Sequence, residues 1–219
     1  EAVQSIPYSD VQGDDDWRDI DFVASLLCQS ITEFKNTTVD GAVRTILGIP
    51  GYYTGILENS CSIEIDGGIV TQSHISSILE DCSKYPLPSE WGVLQAIPRR
   101  YTIDGINQVD NPIDMRGSSL EVDSCLVCVN QKILSQITDR LAERDIHIDY
   151  VRPSLLSSAN IFLTDMERQM GGILIDIGGK STDIIIYRDG VPVFTEWFPV
   201  GGSSVTNDLS IGLDISHEQ

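Results

Sequence analysis

Ile173-Leu174-Ile175-Asp176-Ile177-Gly178-Gly179-Lys180-Ser181-Thr182-Asp183-Ile184-Ile185-Ile186-Tyr187 is the stretch whose reading decides the fold. An apolar strand over 173–177 ends in a short polar loop, and the chain resumes at once as a second apolar strand over 184–187. It turns at Asp189-Gly190 and returns as a third strand, 191–198. Strand, loop and strand is a different order from the strand, loop and helix of a P-loop or dinucleotide fold. The loop has the composition of an oxyanion cradle. Gly178 and Gly179 let backbone amides approach an anion, and Ser181 and Thr182 add hydroxyl donors. Asp176, at the end of what reads as a buried strand, is placed to hold a hydrated magnesium ion, which keeps most of its waters and takes few carboxylates. Taken alone, the same residues read equally well as a tight hairpin with two convenient glycines.

Working outward, Gly201-Gly202 precedes a helix over 203–213, where Ser203, Ser204, Thr206 and Asp208 are cap candidates. Upstream, the spacing past Pro153 predicts an apolar helix to about Thr164, followed by a charged connection through Asp165, Glu167 and Arg168. Before it the chain alternates strands and helices. Ile20, Val23, Leu27, Ile31 and Phe34 recur at helical spacing, which predicts a helix from about Trp17 to Lys35, and 42–49 reads as a short strand ending at Pro50-Gly51. The stretches 61–65 and 68–71 flank Asp66-Gly67 like a hairpin. A helix from Ser73 stops before Pro86, strands follow at 93–103 and 120–129, then a helix at 132–144 and a strand at 146–151. Residues 60–150 thus read as a compact insertion with its own small sheet.

The 219 residues are enough for a real core, arranged as one large domain or two small ones. With 33 acidic against 14 basic residues the formal charge is -19, so the protein's own field opposes nucleic acid and anionic lipid. The Asp14-Asp15-Asp16 run reads as a solvated loop before the first helix. No stretch reaches the roughly 20 apolar residues that span a bilayer. Five irregularly spaced cysteines fit reduced, buried thiols and a cytoplasmic setting. Cys125 and Cys128 form a C-x-x-C on a strand, where residues three apart face opposite sides, so packing is preferred to zinc or redox chemistry. His74, His147 and His217 share no metal or acid–base spacing. Trp91 and Trp197 read as strand packing.

The run from Ile173 to Leu213, with its glycine loop followed by Val200-Gly201-Gly202 and then Thr206, Asp208 and Leu209, resembles the second phosphate loop of the actin-like ATPase superfamily. A narrower likeness lies upstream. Tyr101-Thr102-Ile103-Asp104-Gly105, Asn111-Pro112-Ile113-Asp114-Met115-Arg116-Gly117 and Leu120-Glu121-Val122 resemble the inserted subdomain of the FtsA family of bacterial cell-division proteins. Leu155-Leu156-Ser157-Ser158-Ala159 and Asp165-Met166-Glu167-Arg168 resemble that family's next segment, and the likeness extends over about 36–213.

The resemblance implies an α/β, partial actin-like (ribonuclease-H-like) fold with an inserted small α+β subdomain. The parts would be 1–59 (partial first lobe), 60–150 (inserted interaction subdomain), 151–172 (return to the first lobe) and 173–219 (start of the second lobe). It implies ATP and magnesium as ligands, with Gly178, Gly179, Lys180, Ser181, Thr182, Gly201 and Gly202 at the nucleotide and Asp176 reaching magnesium through water. It also implies location at the inner face of the membrane at the division site and binding to the cytokinetic tubulin homologue and other division proteins. Self-association through the insertion and polymer formation belong to the same expectation. Two features depart from the family pattern. Lys180 stands where a third small residue is usual, and the family's D-x-G-[TS] first phosphate loop has no counterpart before Trp17. The expectation is therefore an incomplete chain that lacks the first loop, the adenosine-binding half and the membrane-anchoring segment, with little ATPase activity of its own. A nucleotide-free actin-like scaffold of the pilus-assembly type, and a piece of a sugar- or acetate-kinase-like enzyme, are the alternatives.

Overall fold

A computed structural model describes residues 20–37 and 44–216; Asp14, Asp15, Asp16, Trp17 and His217 lie outside the described residues. In chain order the elements are α1 (Ile20–Thr37), β1 (Ile46–Ile49), β2 (Thr54–Glu64), α2 (Gln72–Ser83), β3 (Trp91–Ile103), β4 (Asn107–Val109) and β5 (Ser119–Asn130). There follow α3 (Gln131–Ala142), β6 (Tyr150–Pro153), α4 (Ser154–Phe162), α5 (Asp165–Met170), β7 (Gly172–Ile177), β8 (Thr182–Arg188), β9 (Val191–Phe198) and α6 (Gly202–Leu213). Two compact units result, Glu1–Gly48 with Asn130–Arg152, and Ile49–Val129 with Pro153–Gln219.

In the first unit α1 lies against α3, with Ala24 and Cys28 buried on one helix and Ile137 and Leu141 on the other. Asn130 caps α3 by accepting the Ile133 amide at 3.1 Å, and Asp21 meets Arg140 at 2.8 Å. The expected strand at 146–151 is shorter and later. Asp145 takes a left-handed φ of 56° and the Ile146 amide returns to the Leu141 carbonyl at 3.0 Å, which closes the helix end and delays the strand to Tyr150. β1 and β6 form a two-stranded sheet.

The larger unit is built on two antiparallel sheets, ordered β2-β5-β3-β4 and β7-β8-β9. β5 reads as an almost unbroken apolar run because both of its faces are covered. Leu120, Val122, Leu126 and Cys128 face a core with Ile75, Ile78 and Cys82 of α2. Cys125 and Val127 face the other way, against Val191 and Val193 of β9 and Leu156 of α4. The C-x-x-C therefore divides between two cores, and burial pushes the thiols up to about 12 for Cys125 and about 11 for Cys128. The expected hairpin at 61–71 does not form. Gly67 and Gly68 both take positive φ, 80° and 70°, and the chain leaves β2 so that Ile69 bridges to Arg116 instead.

The family-like residues in the Asp104–Ser119 region knit this turn together. Asp104 accepts the Ser118 and Ser119 amides at 2.8 and 3.0 Å, which holds its carboxyl below the ordinary range, and the Gly117 amide donates to Gly68 at 3.2 Å. In the second sheet Ile185 and Tyr187 pack on Leu155 and Ala159 of α4. The charged connection expected after Thr164 is a short helix, α5, with a capping box: Thr164 and Glu167 bond reciprocally, the Glu167 carboxylate accepting the Thr164 amide at 2.8 Å. Its last carbonyls hold the β8–β9 turn, where Asp189 and Gly190 donate to Gln169 and Arg168.

Leu126 is fully buried at the centre of the four-stranded sheet. Leu126→Ala is expected to cost about 2–5 kcal/mol, read as a lower urea midpoint.

Candidate functional site

The glycine loop is positioned from both sides. β7 and β8 pair in direct register from Gly172↔Tyr187 to Ile177↔Thr182, which leaves residues 178–181 as the hairpin connection. The Gly178 amide donates to the Ser181 carbonyl at 2.8 Å and closes it. The loop carbonyls then meet the start of α6: Gly202 donates to Gly178 at 2.9 Å and Ser203 to Gly179 at 2.8 Å. Thr182 Oγ1 donates to the Val200 carbonyl at 2.7 Å and ties the segment entering the helix to the strand.

This close approach explains the second glycine pair. A Cβ built on Gly201 would lie 2.4 Å from the Gly178 oxygen and 2.6 Å from the Gly179 oxygen. Residues from two separate stretches of sequence, Gly178 and Gly179 with Gly201 and Gly202, thus form one backbone-walled corner. The hydroxyls expected to cap α6 do not do so. Gly201 stands at the N-cap without a side-chain bond, because the first helical amides are engaged by the loop. Gly178, Gly179 and Lys180 are exposed, whereas Ser181 and Thr182 are half-buried.

Asp176 is exposed on β7 and sits directly opposite Asp183 on β8. The strand that carries it is not the buried strand expected: α4 and α5 contact it on the face of Leu174, while Ile173, Ile175 and Ile177 on the opposite face are exposed. Among the described residues no three His, Cys, Asp or Glu side chains gather as a metal cage. A cation at Asp176 would take most of its ligands from water and phosphate, as magnesium does.

Asp183 lies in the recognised motif but carried no role in the sequence reading. Its Oδ1 is buried and has no hydrogen-bond partner among the described residues. Burial, and then repulsion from Asp176, push its carboxyl above the ordinary value of 3.8. On its other side, opposite in register, stands Trp197, whose ring meets Tyr52 edge-on with centroids 4.7 Å apart. The expectation that Trp197 packs within the fold agrees with this contact.

Two family models match the chain. One, described as the SHS2 domain inserted in FTSA, covers residues 51–128, and the other, described as the cell division protein FtsA, covers 173–219. The chain belongs to the FtsA family. Among curated family members, FtsA of Bacillus subtilis is 28% identical over 178 residues, 80% of this chain and 40% of that protein. FtsA of Neisseria meningitidis is 27% identical over 194 residues, 89% of this chain and 47% of that one. The chain thus spans somewhat under half the length of these relatives. A solved structure titled as the PilM-PilN type IV pilus biogenesis complex matches at a TM-score of 0.54 and 13% identity, covering 90% of this chain and 54% of that one. At that identity the likeness is one of fold. The fold is accordingly a partial actin-like α/β fold carrying the family's inserted subdomain.

Two outcomes are expected at this corner. Gly201→Ala should push the loop off the helix start, seen as loss of amide-exchange protection at Gly202 and Ser203. The Asp183 carboxyl has its folded value raised, so the folded state holds this proton more tightly. Its stabilising contribution is complete below the ordinary Asp value and is lost as pH rises through the folded one. Asp183→Asn should therefore gain stability relative to the parent between pH 3 and pH 7 in urea titrations, and a pH-independent difference would refute this.

Proposed function

We propose that this chain carries the phosphate-binding hairpin and the interaction subdomain of a bacterial cell-division protein that binds ATP with magnesium, polymerises, and links the cytokinetic tubulin homologue to the inner face of the membrane. The observation that supports nucleotide binding is the exposed glycine loop Gly178-Gly179-Lys180, held in shape by the helix start at Gly201-Gly202 with no side chain between the two backbones. The exposed side of such a loop suits the close approach of a phosphate to backbone. Exposed Lys180 and half-buried Ser181 stand at its lip, and Lys180 offers a cation to a polyanion that the net charge of -19 otherwise repels. Magnesium, when bound, would neutralise phosphate charge; Asp176 would hold it through water.

One hairpin orients a nucleotide loosely and leaves it wet, which forfeits preorganisation. Phosphate release by this chain alone should therefore be negligible. In the complete protein Asp176→Ala should weaken binding of a fluorescent ATP analogue about tenfold, roughly one charge-assisted interaction. Unchanged affinity would count against the magnesium role.

A second reading, a nucleotide-free scaffold, is favoured by one observation: the Gly178, Gly202 and Ser203 amides are already satisfied within the protein. Either reading assigns assembly to the inserted subdomain, whose short edge strand β4 follows the exposed Ile106 (81% exposed). Ile106→Asp should reduce self-association in sedimentation velocity without moving the thermal midpoint.

A further inference from the structure

We infer that Asp183 is a positioning residue that couples the glycine hairpin to the inserted subdomain, with the turn Gly51–Tyr53 as the point of contact. The inference does not require a bound nucleotide.

The residues on the two sides of this contact are far apart in sequence and each depends on the other's shape. A Cβ built on Gly51 would lie 1.8 Å from Asp183 Oδ1 and 3.0 Å from its Cγ, so the carboxyl fills the space that any other residue at 51 would need. Tyr52, next in the chain, meets Trp197 edge-on, and Trp197 is the cross-strand partner of Asp183. The turn therefore grips two neighbouring strands at one cross-strand pair. Pro50, with φ -66°, fixes the entry to the turn, and Thr54 opens β2 immediately after it. β2 then pairs with β5 along its whole length, from Thr54↔Val129 to Glu64↔Ser119.

On the other side Asp183 is the second residue of β8, directly after the loop. A loop movement that turns its carboxyl must either vacate the space over Gly51 or push the turn, and the turn is the root of β2. The buried Oδ1 makes no hydrogen bond to hold it elsewhere among the described residues, so its position is set by packing and by repulsion from Asp176. Coupling of this kind is reciprocal: what the loop does to β2, the turn does to the loop.

The test is amide exchange on the 219-residue chain without ligand, comparing the parent, Gly51→Ala, Asp183→Ala and the double variant. Gly51→Ala forces the carboxyl out and should speed exchange in both 54–64 and 172–183 by about tenfold or more. Asp183→Ala removes the obstructing atoms, so the double variant should stay within about threefold of Asp183→Ala alone, a non-additive cycle. Asp183→Ala by itself should alter exchange in 54–64 by at least about threefold, although it removes no strand pairing. Should Gly51→Ala fold only in the Asp183→Ala background, that rescue supports the coupling. The inference is overturned if Gly51→Ala acts on its own turn alone, if the two effects multiply, or if 54–64 is unmoved in Asp183→Ala.

Discussion

The donation of the Gly202 and Ser203 amides to the Gly178 and Gly179 carbonyls is the interaction on which the site depends. A helix start carries amides with no partner of their own, and here they find the turned carbonyls of a hairpin loop. The pairing is possible only because Gly201 has no side chain between the two backbones. It shapes the loop before any ligand arrives. It also accounts for the absence of a side-chain cap on α6.

The larger unit is organised by β5 in a comparable way. Its two faces serve two cores: one closes the inserted subdomain with α2, and the other packs the subdomain's sheet on β9 and α4. The sheet of the inserted subdomain and the sheet carrying the glycine loop are thus joined by apolar packing through Cys125, Val127 and Val191. A second join, at Gly51 and Asp183, lies beside the loop.

Much of this was legible in the residues. The switch from apolar strand to glycine loop to apolar strand marked the hairpin, and the two-residue Asp189-Gly190 turn supplied the third strand with positive φ at both positions. The spacing of Cys125 and Cys128 correctly placed them on opposite faces of a strand. What escaped was set by contacts distant in sequence or by end effects. The strand expected at Ile146 was displaced because that amide closes helix α3. The turn after β2 carries two left-handed glycines rather than one hairpin pair. α5 hid in a charged stretch whose Thr164-x-x-Glu167 spacing is itself a helix-start signal. The partnership of Gly51 with Asp183 has no local signature, since nothing near either residue announces the other.

The central claim, that the glycine corner receives the phosphates of a nucleotide, is tested most directly by titrating magnesium-ATP into isotopically labelled chain and following backbone amide resonances. The account predicts saturable shifts in the millimolar range confined to the loop 178–182 and the helix start 201–203, with inorganic triphosphate reproducing them. Resonances there that stay fixed at high nucleotide concentration, or shifts that gather elsewhere on the chain, would contradict it.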